Sequence, residues 1–435
     1  MKFLLLSTLV LSLSSIQAAV TPTELVVKVR AGKTLPDFGS QSKVQNLFGN
    51  VYVIRNNDVS VLEKQLKNHP SVEYTERNYR AEKSPLPTPV PAPRPPEENK
   101  SMNAPQFNDP QVGKIWSFAD ASQNGVSVNA AYKIHGTTAT ETITVAVVDT
   151  GIDTTHEDLK DVLWKNEGEI PGNGIDDDGN GYVDDVYGIN TLVRDSQGRA
   201  TGNNKDTHSH GTHVSGTIGA KQNNGIGIAG IASNVRIMGI RTVPNNSDET
   251  DVDVAESFIY AAKNGAKIIN CSFGKRSNEG GNLIPETLKY IQDNYGVLVI
   301  AAAGNDSSDI DRTPTYPASH KSDNLLIVAS TSNSGGMSYF SNYGKVGVDV
   351  AAPGSSIYST TPGNRYESMS GTSMASPTTA GVAAEVLSHY PNLTPVQLKQ
   401  VLMDSVTKVE RFKDKMVAGG RIDLLKALEL ARTIK

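Results

Sequence analysis

The chain holds one cysteine, Cys271, in 435 residues, so no disulfide can form within it. Stability has to come from packing and from any bound ion, and Cys271 reads as a small buried hydrophobe rather than a reactive thiol. No run of Lys/Arg is present, and 41 basic against 46 acidic residues leave a formal net charge of -5, which speaks against a nucleic-acid partner. Beyond the extreme N-terminus no apolar stretch reaches the roughly 18 residues of a membrane span. Glycine and proline, 38 and 22, are too few for collagen, and 37% hydrophobic residues are too many for a wholly disordered chain.

What is present divides into four parts. Met1-Lys2, a leucine-rich run at 3–13 and small residues ending at Ala18-Ala19 read as a secretory signal peptide over 1–19. The expected product is exported, extracellular or periplasmic, with no membrane attachment once the signal is removed. Residues 20–83 read as a small α+β unit. Strands are predicted at 25–29, 50–54 and 72–76, with a helix at 61–66 capped by Ser60. Seven prolines from Pro85 to Pro96 make 84–104 a stiff polyproline-II linker. Over 105–435 the pattern becomes α/β. Apolar runs at 142–148, 235–242, 266–270, 297–302 and 325–330 alternate with helical segments such as 254–264 and 285–294. Strands apolar on both faces and separated by helices predict a mostly parallel sheet covered on both sides. Ligands of such sheets sit outside the carboxyl ends of the strands.

Three segments carry reactive groups. Asp149 closes the run 145–148, His210 stands at a helix start in Ser209-His210-Gly211-Thr212-His213, and Ser373 opens a helix in Gly371-Thr372-Ser373-Met374-Ala375. Each has an ordinary explanation alone: a structural Asp, a His paired with backbone, a Ser N-cap. Together, in the order Asp, His, Ser, they fit nucleophilic acyl transfer. A serine hydroxyl needs a neutral imidazole to take its proton, and the imidazole needs a carboxylate to fix its tautomer. Asn305, after the small-residue run Ala301-Ala302-Ala303-Gly304, offers a side-chain amide that would join the Ser373 N–H in binding an oxyanion.

These boxes resemble those of the subtilisin-like serine proteases, the subtilases. Asp149-Thr150-Gly151-Ile152-Asp153 is similar to the family's Asp box and His210-Gly211-Thr212-His213 to its His box. Ala302-Ala303-Gly304-Asn305 is similar to its oxyanion segment and Gly371-Thr372-Ser373-Met374-Ala375-Ser376-Pro377 to its Ser box. The resemblance spans about 140–385. It implies a three-layer α/β fold preceded by a small α+β pro-domain, with Asp149, His210 and Ser373 as triad and Asn305 as oxyanion donor. It also implies that Ser272-Phe273-Gly274 form one cleft wall and that Ala301, Ala302, Ala303 and Gly304 flank the pocket for the residue before the cut. The expected partners are protein or peptide substrates and the chain's own pro-domain as intramolecular inhibitor; the expected state is a monomeric zymogen that cuts itself between about Arg80 and Asn103. Residues 20–83 carry 10 basic and 7 acidic groups, and 105–435 carry 28 and 37, so opposite signs aid docking.

No catalytic cofactor is expected. Residues 173–185, with Asp176, Asp178 and Asn180 at alternate positions before Gly181, repeat the first half of a calcium loop that Asp184 or Asp185 would close. A structural Ca²⁺ is therefore expected, although the twelfth position is Tyr187 rather than Glu. The acidic stretch Asp248, Glu249, Asp251 and Asp253 reads as a solvated loop more readily than as a site for basic substrate residues. Two rivals stand: a zinc hydrolase using His208, His210 and His213, and a non-catalytic binding protein on the same fold.

Overall fold

The computed structural model describes residues 19–38, 41–80, 107–136, 139, 141–276 and 281–434. The signal segment, the Pro-rich linker and the expected processing region lie outside them, apart from the segment edges at Ala19 and Arg80. No helix among the described residues is long and apolar enough to cross a membrane.

The first unit contains β1 (Ala19–Val29), β2 (Lys43–Phe48), β3 (Val51–Arg55), α1 (Val59–Leu66) and β4 (Val72–Arg80). Its antiparallel sheet runs β2-β3-β1-β4. Alternation along the strands splits the faces: Leu25, Val27 and Ile54 pack under α1 with Leu62 and Leu66, while Val26, Val51 and Val53 turn to the larger body. The α1 cap is Asp58, not Ser60; its Oδ1 accepts the amides of Ser60 and Val61, so the helix begins two residues earlier than expected.

The larger body follows with α2 (Val128–His135), β5 (Ile143–Asp149), β6 (Asn190–Arg194), β7 (Ala200–Thr201), α3 (His210–Gly219), β8 (Val235–Arg241) and α4 (Asp251–Lys263). Then come β9 (Ile268–Cys271), α5 (Leu283–Tyr295), β10 (Leu298–Ala302), β11 (Leu325–Thr331), β12 (Val350–Pro353) and the hairpin β13 (Ile357–Thr361), β14 (Arg365–Met369). The chain closes with α6 (Thr372–His389), α7 (Pro395–Asp404), β15 (Thr407–Lys408), β16 (Gly420–Arg421) and α8 (Leu424–Ala431). The main sheet is ordered β15-β16-β12-β11-β10-β9-β5-β8-β6-β7 and is parallel except at its two short edge pairs. Both faces are dry. Val145 and Val147 pack toward α3, α6, α7 and α8, and Ala146 and Val148 toward α4 and α5. This is the three-layer α/β arrangement expected from strands apolar on both sides.

β5 lies between β8 and β9, the point at which the chain changes its direction of travel across the sheet. Ligands of such sheets sit outside the carboxyl ends of the strands at this point, and Asp149 is the residue that ends β5 there. On the α4/α5 face sits the N-terminal sheet. Lys28 pairs with Glu286 at 2.7 Å, Gln45 donates to Glu256 at 2.8 Å, and Asn78 Oδ1 accepts the Val252 amide in the first turn of α4.

The acidic stretch that leads into the first turn of α4 is not a solvated loop. Asp248, Glu249 and Asp253 are 5%, 2% and 6% exposed. Thr250 caps α4 by accepting the Asp253 amide, Asp253 and Glu256 bind Arg194, and Asp251 pairs with Lys275 at 2.8 Å. Arg194 and Lys275 are distant in sequence, so the local acidic pattern by itself reads as solvated.

Candidate active site

Asp149 is the last residue of β5 and is 1% exposed. Its Oδ1 accepts the Thr150 amide at 2.7 Å and His210 Nδ1 at 2.8 Å. A carboxylate only accepts, so the imidazole proton resides on Nδ1 and Nε2 is the basic nitrogen. Burial lowers the His210 pKa, but the Asp149 charge and hydrogen bond, with a smaller push from Asp206, outweigh it and leave it raised. His210 Nε2 is buried and has no hydrogen-bond partner among the described residues.

Two glycines permit this approach. Gly151 has φ +107°, and a Cβ there would lie 2.3 Å from the Asn204 carbonyl oxygen. A Cβ at Gly211 would lie 2.1 Å from the Gly151 carbonyl oxygen. The Asp and His boxes thus meet backbone against backbone.

Ser373 sits in the first turn of α6, 3% exposed, and α6 packs on α3. Its hydroxyl donates to the Ser272 carbonyl at 2.9 Å rather than to His210. Such contacts commonly tighten only with substrate bound. Pro377, four residues on, has no N–H to give the Ser373 carbonyl. Ser272 Oγ fills that gap at 2.9 Å, and Asn270 Nδ2 donates to Ser272 Oγ at 2.9 Å. The Ser373 turn is therefore clamped to the end of β9.

Asn305 follows β10. Its Oδ1 accepts both the amide and the hydroxyl of Thr372, at 2.8 and 3.0 Å, and Thr372 Oγ1 accepts the Gly304 amide at 3.1 Å. With Oδ1 so engaged, the Nδ2 donors are the end left for a ligand. Gly304 has φ +102°, and a Cβ would meet Asn342 Nδ2 at 2.4 Å. The only sequence signal for the Thr372 tie is its place beside Ser373 in the same box.

Of the expected substrate-wall residues, Ser272, Phe273, Ala301, Ala302 and Ala303 are buried, and Gly274 and Gly304 are half-buried. Lys275 exchanges two backbone hydrogen bonds with Tyr316, both 2.8 Å, which stiffens the strand beyond Gly274.

The acidic loop assembles differently from its motif. Ligand atoms of Glu169, Asp176 and Asp178 lie within 4.8 Å of one another. Asp184 does not join them, since its oxygens accept the amides of Gly172, Asn173 and Gly174. Asp185 is buried under Tyr260 Oη (2.5 Å), Asn166 and Asn180, and burial raises its pKa. Asn180 thus frames the loop by donating to Asp178 and Asp185. Glu169 Oε2 and Asp176 Oδ1 are buried oxygens with no hydrogen-bond partner among the described residues, and three carboxylates this close repel one another. A hard cation with oxygen ligands fits that donor set. Glu169 lies outside the 173–185 repeat, so the sequence carries no signal for it.

The three histidines do not gather. His213 Nε2 is engaged with the carbonyls of Ile357 and Glu367, and burial first, then His210, lowers its pKa to about 3. No described metal-capable group contains a histidine.

This geometry defines a doubly wound α/β protein with a buried Asp–His pair and a helix-borne serine at one strand end. Residues 140–419 match the model of the subtilase family (Peptidase_S8), and the chain belongs to that family. It is 34% identical over 347 residues to "Subtilisin-like protease 1" of Plasmodium berghei (strain Anka), covering 76% of this chain and 56% of that one. It is 33% identical over 357 residues to "Thermophilic serine proteinase" of Bacillus sp. (strain AK1), covering 82% of this chain and 73% of that one. Among solved structures, a protease of Pseudoalteromonas arctica PAMC 21717 superposes with a TM-score of 0.60 at 25% identity, covering 75% of this chain and 99% of that one. The chain spans little more than half the length of the Plasmodium relative.

Proposed function

We propose that this chain is an exported serine endopeptidase made as a self-processing zymogen. The observation that carries the reading is the buried Asp149–His210 pair, 2.8 Å apart with Nε2 unclaimed, beside a clamped Ser373 and an oriented Asn305. Ser373 attacks a peptide carbonyl and His210 Nε2 takes the hydroxyl proton. Asp149 holds the Nδ1 tautomer and stabilises the imidazolium. Asn305 Nδ2 and the Ser373 N–H receive the oxyanion, aided by the positive end of α6. His210 returns the proton to the leaving amine, and water then releases the acyl group by the same route. No catalytic cofactor enters these steps.

The N-terminal sheet acts as intramolecular inhibitor on this reading. The support is its packing on α4 and α5 and the opposite charge of the two parts. Glu169, Asp176 and Asp178 would hold a structural Ca²⁺, which supplies charge neutralisation to the loop and plays no part in peptide cleavage. Substrates are proteins or peptides, and the working form is a monomer outside the cytoplasm.

A fluorophosphonate probe tests the reading. The expected result is stoichiometric labelling at Ser373, abolished in Ser373→Ala, and a Ser373→Ala chain that stays full length. A folded protein that neither labels nor cleaves a peptide library would support the binding-protein alternative.

A further inference from the structure

Asp206 stands four residues before His210 and has no step in the reaction above. It is 4% exposed, and five hydrogen bonds converge on its carboxylate. Oδ1 accepts the Thr150 hydroxyl at 3.0 Å and the amides of His208 and Ser209 at 2.8 and 3.0 Å. Oδ2 accepts the amide and hydroxyl of Thr212 at 3.0 and 2.6 Å. The donors come from two places. Thr150 directly follows Asp149 at the end of β5, whereas His208, Ser209 and Thr212 form the entry and first turn of α3, which carries His210. Thr150 Oγ1 also accepts the Gly211 amide at 3.0 Å, which closes a ring around the two boxes. The backbone repeats the tie, with Ile152 N donating to Asn204 O and Asp206 N to Ile152 O.

We propose that Asp206 is the positioning residue of this site, holding the strand end that carries Asp149 in register with the helix start that carries His210. The inference rests on the serine-hydrolase reading and deepens it. Charge-assisted hydrogen bonds are the strong ones, and an acid at a helix start is favoured by the helix dipole, so one buried carboxylate can fix both segments. Its charge has a second effect. The groups facing His210 are Asp149 at the end of β5, Asp206 before α3, His208 with its ring 6.4 Å away, and His213 one turn along α3. Asp149 and Asp206 favour the protonated imidazole. Removing the Asp206 charge therefore moves the acid limb of activity to lower pH, a change that mere loosening of the fold does not produce.

The test is kcat and KM for a chromogenic peptide across pH 5–9 in wild type, Asp206→Asn and Thr150→Val. Asp206→Asn is expected to shift the acid limb of kcat/KM down by about half a unit, the size one removed charge exerts through a high effective dielectric. Its plateau kcat is expected to fall about tenfold through misplacement of the reacting pair, with KM within about twofold. Thr150→Val keeps the charge and cuts the tie, so its plateau should fall while its limb stays in place. It also decides the linkage where Asp206→Asn does not accumulate as folded protein. An unmoved limb in folded Asp206→Asn, or a wild-type plateau in Thr150→Val, overturns the proposal. A wild-type protein that neither hydrolyses peptide nor takes fluorophosphonate at Ser373 refutes the underlying reading instead.

Discussion

Glu76 on β4 gives the N-terminal sheet a pH dependence whose size follows from its surroundings. Its carboxylate is 6% exposed and accepts the amide of Asn282 at 3.2 Å and that of Leu283, at the start of α5. It faces Asp251 of α4 and Glu286 of α5; Lys275 pairs with Asp251, and Lys28 with Glu286 and Glu73. Burial, then the Asp251 charge, push its pKa up to about 7 from an ordinary 4.5. A docked pKa raised in this way means that Glu76 contributes fully to docking below pH 4.5 and that the contribution is lost as pH rises through 7. At pH 8 the ionised carboxylate opposes docking by about 3 kcal/mol relative to its protonated form, on the order of a hundredfold in the opening equilibrium. Glu76→Gln removes the charge and keeps an acceptor for one amide. It is expected to hold the sheet closed more tightly than wild type at pH 8 and to flatten the dependence between pH 5 and 8. Hydrogen exchange at Val252, Asn282 and Leu283 in a Ser373→Ala background, corrected for intrinsic rates, reads that opening. Identical pH slopes with and without Glu76 would refute the reasoning.

Three further outcomes are expected. Asn305→Ala should lower kcat by about 10²–10³, the size known for one lost oxyanion donor in a subtilase, with KM little changed; an equal rise in KM alone would mean that the amide binds substrate only. Gly151→Ala forces a methyl group onto the Asn204 carbonyl at positive φ and should cost at least about 2 kcal/mol, so a melting temperature within about a degree of wild type contradicts the close approach. Chelation should lower the melting temperature of wild type and leave Glu169→Gln, already lowered, unmoved; a chelation effect of equal size in both shows that Glu169 holds no ion.

Much of the α/β body was legible because parallel strands buried on both faces write themselves as continuous apolar runs. Asp149, His210, Ser373 and Asn305 were nameable because each stands in a local box of small and turn-forming residues. Groups whose meaning depends on partners far along the chain were not legible. Glu169 meets Asp176 and Asp178 only after the loop folds back, and Asp206 gathers Thr150 from more than fifty residues upstream. Asp253 is of the same kind, since the Arg194 that binds it lies 59 residues upstream. Asp58 displaced Ser60 as cap because either side chain suits that role and only the backbone angles choose between them.

The proline inside α6 has a consequence for endurance. A helix start ordinarily frays first on heating, since its own ladder holds it least. Here the missing donor at Pro377 hands the anchoring of that turn to Ser272 and, through it, to Asn270 in the middle of the molecule. Loosening the Ser373 turn thus requires disturbing the most deeply seated strands, so loss of activity on warming should coincide with collapse of the whole body rather than precede it.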